Sequence, residues 1–174
     1  MLVNDVMIPA IRKVGEFYDN GTYFLPQLIA GAETMQNGFA LLEPLLDANS
    51  SSRKGKILMA TVKGDIHDIG KNIVCLLLRN NGFEVIDLGK DVSHKTIIEA
   101  ARKYNPDLIG LSALMTTTMT AMKEVIELSR ASGIKCPFIA GGAVVTADYA
   151  ASIGAQYAKD GVEAVRIAEE ILSA

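Results

Sequence analysis

Lys56-Ile57-Leu58-Met59-Ala60-Thr61-Val62-Lys63-Gly64-Asp65-Ile66-His67-Asp68-Ile69-Gly70 is the stretch whose reading decides the fold. Ile57 to Val62 is a short apolar run of strand length, and Lys63-Gly64 ends it. A polar loop follows, and then Ile69 to Asn80 reads as a helix closed by Asn81-Gly82. In an open parallel sheet, the loop leaving the carboxyl end of a strand is where ligands sit. Asp65 and His67 lie in that loop. An imidazole can bind a metal through one nitrogen while a carboxylate holds its other N–H. His67 is therefore the candidate ligand and Asp65 its partner.

Strands and helices keep alternating downstream. Phe83–Leu88 reads as a strand, and Ser93 caps a helix to Tyr104, its hydroxyl placed for the first free N–H groups. Leu108–Leu111 is a strand, a helix runs from about Thr118 to Ala131, and Phe138–Ala140 is a strand. Ala147–Ile153 forms a short helix, Gln156–Ala158 a short strand and Val162–Leu172 the last helix. This alternation predicts a doubly wound, parallel, five-stranded α/β sheet (Rossmann-like, flavodoxin-type) covered on both faces by helices. Upstream, residues 1–48 read as helical: one helix to Tyr18, a break at Asp19-Asn20-Gly21, and a second from Leu25 to Leu46. Leu28, Met35, Phe39 and Leu42 form an apolar stripe on the second. Residues 49–55 have the composition of a linker, and residues 56–174 form the α/β domain.

At 174 residues the chain has the size of one ordinary domain and can bury a core of its own. A charged fraction of 21% against 49% hydrophobic places it among soluble globular chains. A net charge of −3 and the lack of a basic cluster argue against a nucleic-acid partner. No apolar stretch reaches the roughly 20 residues that span a bilayer, and no signal-peptide pattern opens the chain, so the expected home is the cytoplasm. Cys75 and Cys136 have no metal-ligand spacing.

Other chemistries fit the first loop poorly. A dinucleotide site wants G-x-G-x-x-G, but only Gly64 and Gly70 are present. The phosphate loop G-x-x-x-x-G-K-[ST] fails too, since those glycines stand one residue too far apart and Asn72 follows Lys71. Two histidines, His67 and His94, are too few for a hydrolytic zinc site. Taken alone, Asp65 and His67 could be loop residues, with Asp68 capping the next helix. Two further loops at the same sheet edge change that balance. One carries Ser112-Ala113-Leu114-Met115-Thr116-Thr117-Thr118, and the other Gly141-Gly142, where missing side chains let a ligand approach the backbone.

Asp65-x-His67-x-x-Gly70, 41 residues (71–111), Ser112-x-Leu114, 26 residues (115–140), then Gly141-Gly142 resembles the signature of base-off, His-on cobalamin-binding domains. Leu25-Pro26-Gln27 and Leu42-Glu43-Pro44 extend the likeness into the helical part. The chain resembles the cap-plus-corrinoid module of methionine synthase and, more closely, the small corrinoid proteins of methanogen and acetogen methyltransferase systems. The resemblance implies that His67 is the lower axial cobalt ligand and that Asp65 and Thr118 complete a relay behind it. Thr118 stands where the family has a serine. It implies that Gly64, Asp68, Ile69 and Gly70 lie against the cofactor with them. Ser112, Leu114, Gly141 and Gly142 would line the slot for the displaced nucleotide tail, with Thr116 on the corrin or tail. Tyr18 and Leu25 of the cap would shield the upper face.

The implied activity is methyl carriage on cobalt between a substrate-specific methyltransferase and a second one acting on tetrahydrofolate or coenzyme M, with a reductive activator. The chain would then be a carrier subunit, not an enzyme by itself. Rival readings are the small subunit of an adenosylcobalamin mutase, which would not need residues 1–48, and a cobalamin-binding regulatory fragment. The family cap has four helices and only two are readable here, so either the chain is a piece of a longer protein or residues 1–48 form a homodimer contact. The dimer is the expectation carried forward.

Overall fold

The computed structural model describes residues 3–47 and 54–172, which fall into two compact units divided after residue 48. The first unit begins with a π-helical turn, Val3–Met7, leading into α1 (Ile8–Asp19) and then α2 (Leu25–Asp47). The break between the helices is held by backbone bonds from Asn20 N–H to Glu16 O and from Tyr23 N–H to Phe17 O. The helices meet closely: a Cβ added at Gly31 would stand 2.9 Å from Cγ1 of Val14. Along the expected apolar stripe Met35 is buried and Leu28 and Leu42 are half-buried. The side chains of Phe39 and Leu25 lie outside those described.

The second unit is a five-stranded parallel sheet. Its strands are β1 (Lys56–Thr61), β2 (Glu84–Asp87), β3 (Leu108–Ser112), β4 (Phe138–Gly141) and β5 (Gln156–Tyr157). Their order is β2-β1-β3-β4-β5, the doubly wound arrangement expected from the alternation. The helices are α3 (Ile69–Asn80), α4 (His94–Tyr104), α5 (Thr116–Ala131), α6 (Ala147–Ile153) and α7 (Gly161–Leu172). Because both faces are covered, the central strands are continuous apolar runs: Ile57 to Thr61 and Leu108 to Leu111 are all buried. Among the described residues, no helix is long and apolar enough to cross a membrane.

Boundaries shifted where a residue's neighbours outweighed its local preference. Ser112 and Gly141 join their strands because they pair with each other and Ser112 pairs with Thr61. Helix α5 starts at Thr116, two residues before the expected Thr118, and Met115 precedes it without a side-chain cap, so the threonine run does not cap this helix. Asp68 holds the N-cap position of α3, again without a side-chain capping bond, and its carboxylate lies 3.9 Å from Lys90 Nζ. Ser93 does cap α4 as read from sequence, accepting the Thr96 N–H.

Candidate functional site

The chain reverses its direction of winding between β1 and β3, and the crevice at that switch point lies outside the carboxyl ends of the two strands. The loop after β1 carries Asp65 and His67; the loop after β3 carries Ala113 to Met115. Asp65 ties them together. Its carboxylate is fully buried, and such a charge is tolerated only where donors replace the lost water. Oδ1 accepts the His67 backbone N–H at 3.0 Å and faces His67 Nδ1 at 2.8 Å. Oδ2 accepts the Leu114 N–H at 2.6 Å, the Met115 N–H at 3.3 Å and the Thr118 hydroxyl at 2.8 Å. That hydroxyl also lies 2.9 Å from the Met115 carbonyl, which competes for its single proton.

These contacts fix the charge of the site. Burial pushes the Asp65 carboxyl up, but the Leu114 and His67 amides, the His67 ring and the Thr118 hydroxyl outweigh it and bring it down to about 2. Asp65 is thus ionised at neutral pH and can only accept. Nδ1 of His67 must then be the donor, which in the neutral ring leaves the lone pair on Nε2. The His67 side chain is 46% exposed, while its Nδ1 is anchored on the buried Asp65 carboxylate.

The rest of the loop is held as firmly. The Thr61 hydroxyl donates to the His67 carbonyl at 3.2 Å, and the Asp65 N–H closes a turn on the Val62 carbonyl at 3.1 Å. Gly64 has φ +85, a left-handed conformation suited to glycine.

Other residues singled out from sequence fall around the same edge. Ile69 is half-buried at the start of α3, and Gly70 beside it is exposed. Ser112 is half-buried at the end of β3, and its carbonyl accepts the Val62 N–H. Leu114 is 39% exposed, and Thr116 is exposed at the first position of α5. Tyr18 is exposed on α1 of the other unit.

The glycines divide into two kinds. A Cβ at Gly142, which has φ +126, would sit 1.9 Å from the Ala113 carbonyl oxygen, and one at Gly141 would sit 2.9 Å from that of Ala158. Packing of the protein's own loops therefore demands glycine at both positions, a different reason from the ligand approach expected there. Gly70 is the reverse case. It is helical and exposed, and an added Cβ would meet no protein atom within 4 Å. Neither packing nor backbone asks for glycine at this second position of α3.

Thr61 and Lys71 were not singled out from sequence, whereas Asp91 lies in Asp87-Leu88-Gly89-Lys90-Asp91-Val92, a segment that also resembles the family. Thr61, Asp91 and Lys71 bind the His67 loop or the helix behind it. Lys71 had a legible signal, since Lys71, Cys75 and Leu78 share one face of α3 at helical spacing and all three are buried. The bonds of Asp91 to Gly64 and Asp65 cross the sheet edge, and the sequence of its segment does not specify them. His94 faces Glu124, with Nδ1 3.2 Å from its carboxylate, away from this constellation.

Fold and site together define a doubly wound α/β domain that presents an anchored imidazole at its topological switch point. The B12 binding domain family matches residues 55–170, and a second B12 binding domain profile matches residues 2–43. The chain belongs to the B12-binding domain family, and its cofactor is a corrinoid, cobalamin. It is 43% identical over 167 residues to dimethylamine corrinoid protein 3 of Methanosarcina mazei, covering 94% of this chain and all of that one. Among solved structures, the monomethylamine corrinoid protein of Methanosarcina barkeri superposes with a TM-score of 0.80 at 32% identity, covering 95% of this chain and 80% of that one. A chain of the methanol:cobalamin methyltransferase complex of the same organism matches with a TM-score of 0.68 at 36% identity, covering 99% and 67%.

The residues present fit a corrinoid. An imidazole nitrogen is a suitable ligand for a first-row transition metal, and here its tautomer is set by a buried carboxylate. The open space before Gly70 adds room for a large flat ligand beside it.

Proposed function

We propose that the chain is a methyl carrier that binds cobalamin base-off and His-on, with His67 Nε2 as the lower axial ligand. The observation carrying this reading is the 2.8 Å contact between His67 Nδ1 and the buried, ionised Asp65. When bound, the cofactor supplies a cobalt centre able to accept and release a methyl group. The chain's own residues place and tune it. His67 offers its lone pair, Asp65 holds the Nδ1 proton and can share it as the imidazole engages or withdraws, and Thr118 with the Leu114 amide steadies the second carboxylate oxygen. Gly64, Asp68, Ile69 and Gly70 would lie along the cofactor. Ser112, Leu114, Thr116, Gly141 and Gly142 would border the displaced tail.

Residues 1–48 act, in this reading, as a partial cap, with Tyr18 and Leu25 toward the methyl face. A carrier of this kind needs partners: a donor-specific methyltransferase, a second methyltransferase passing the methyl to tetrahydrofolate or coenzyme M, and a reductive activator. Exposed Val6, Phe24, Ile29 and Leu41 support a homodimer contact through the same helices. The relatives named for methylamines, and the methanol complex, support the carrier role over the mutase and regulator readings.

The test is an EPR spectrum of the Co(II) form made with uniformly ¹⁵N-labelled protein and unlabelled cobalamin. A two-line nitrogen splitting, lost in His67→Ala, is the expected result. A three-line splitting would mean that the cofactor kept its own base, and no splitting would return His67 to a loop residue; either outcome refutes the assignment.

A further inference from the structure

Asp91, in the connection between β2 and α4, and Asp87, at the end of β2, hold two points, the His67 loop and the helix behind it respectively. At the first, Asp91 Oδ1 accepts the Gly64 N–H at 2.7 Å while its own backbone N–H donates to the Asp65 carbonyl at 3.0 Å. Asp91 does this from φ +52, a region that residues with side chains seldom occupy. Such a conformation persists only where its surroundings over-determine it, and it clusters at functional sites. At the second point, Asp87 at the end of β2 holds Lys71 in the first turn of α3, with carboxylate oxygens 2.5 and 2.6 Å from Nζ. A cation at a helix N-terminus opposes the helix dipole, and this one is wholly buried. It is retained because two Asp87 oxygens and Asn72 Oδ1, at 2.7 Å, accept its three protons. Asp87 Oδ1 also accepts the Gly89 N–H at 2.8 Å, binding the same connection to the helix behind His67.

Gly64, at the first of these points, is a glycine with φ +85 at the start of the loop. Its N–H is held by the Asp91 carboxylate. Without that acceptor the peptide is free to turn, and the displacement passes to Asp65 and so to the imidazole.

We infer that Asp91 is a positioning residue for His67: by holding the Gly64 amide, with the Lys71–Asp87 pair as the second anchor, it sets the ring orientation on which the axial cobalt bond depends. This rests on His67 being the ligand, as proposed above.

Asp91→Gly tests it, because glycine keeps both the left-handed conformation and the backbone bond to Asp65 and removes only the carboxylate. Asp91→Asn keeps an acceptor oxygen. Both are made in the full chain, with His67 present and with His67→Ala, after thermal melts confirm folding. Cob(II)alamin is the probe, read by its Kd and by the share of its EPR spectrum showing the two-line ¹⁵N splitting. With His67 present, Asp91→Gly should weaken binding about tenfold and lower the two-line share, whereas Asp91→Asn should stay within about threefold. With His67→Ala, Asp91→Gly should change Kd less than about twofold, because the coupling has lost its receiver.

Equal weakening in both backgrounds, or an unchanged two-line share in Asp91→Gly, overturns the inference while leaving His67 as the ligand. Absence of the two-line splitting in the wild type refutes the ligand reading, and this inference falls with it. If Asp91→Gly does not fold, Asp91→Ala, which also lacks the acceptor, carries the cycle: a loss of about tenfold is expected only where His67 is present, and the same loss without His67 overturns the proposal.

Discussion

Replacing Asp65 by asparagine removes the charge on which the loop after β1 is built. The wild-type carboxyl lies at about 2 in the fold against an ordinary 3.8, because its donors outweigh the burial that pushes it up. A shift of that size corresponds to about 2.5 kcal/mol of folding stability. A depressed acid contributes this stability above its unfolded pKa and loses it as the pH falls through the folded value. The contribution is therefore whole above about pH 5 and gone below about pH 2. Asparagine keeps the size but must point its NH₂ at a fixed donor, either the His67 backbone N–H or the Leu114 and Met115 amides. At neutral pH that mismatch should cost about 3 kcal/mol, the combined loss of charge-assisted bonds and a buried donor left unpaired. The assay is urea unfolding of the cofactor-free protein, followed by far-ultraviolet circular dichroism from acid to neutral pH. The difference between wild type and Asp65→Asn should be flat above pH 5 and shrink steadily toward pH 2. A difference that does not change across that window, or a neutral-pH loss under about 1 kcal/mol, would refute the argument that Asp65 is held ionised by its donors.

Three further outcomes follow from the same coordinates. Asp87→Ala should destabilise the α/β unit by about 3 kcal/mol in urea unfolding, since the wholly buried Lys71 ammonium is left without its carboxylate. Gly142→Ala should cost about 3 kcal/mol, read as a lower melting temperature, because its Cβ must displace the Ala113 backbone from a left-handed position. Burial, with Asp87 beside Cys75 and Asp107 beside Cys136, pushes both thiols up to about 12. At pH 8 only about one thiol in ten thousand is then thiolate, so iodoacetamide should label neither cysteine in the native protein and both in urea.

Much of the fold is written in local pattern. The apolar run from Ile57 to Val62, the helical stripe behind it and the repeated alternation to Leu172 are properties of neighbouring residues, and they determine element type and sheet class without tertiary information. The Asp65–His67 relation is local as well. Two residues in one loop can meet only over a short reach, and their spacing announced a carboxylate beside an imidazole. The spaced motifs identified the family for the same reason, since they mark three loops that a doubly wound sheet must bring to one edge.

Only the tertiary structure decided what those residues are held by. The second oxygen of Asp65 is bound by Leu114 and Thr118, partners 49 and 53 residues away, and nothing in the loop sequence specifies those bonds. Helical spacing puts Lys71 on the buried face of α3, but only the Asp87 carboxylate found against it across the helix–strand packing shows how a buried ammonium is tolerated there. Gly141 and Gly142 suggested room for a ligand, and folding adds a second reason for glycine there, because their missing side chains make room for the protein's own carbonyls. The part that Asp91 plays was not legible in its segment, because its left-handed backbone and its grip on Gly64 exist only once β1 and β2 lie side by side. Periodicity and spacing are set by covalent neighbours, whereas burial, charge compensation and close backbone approach arise from residues brought together by folding.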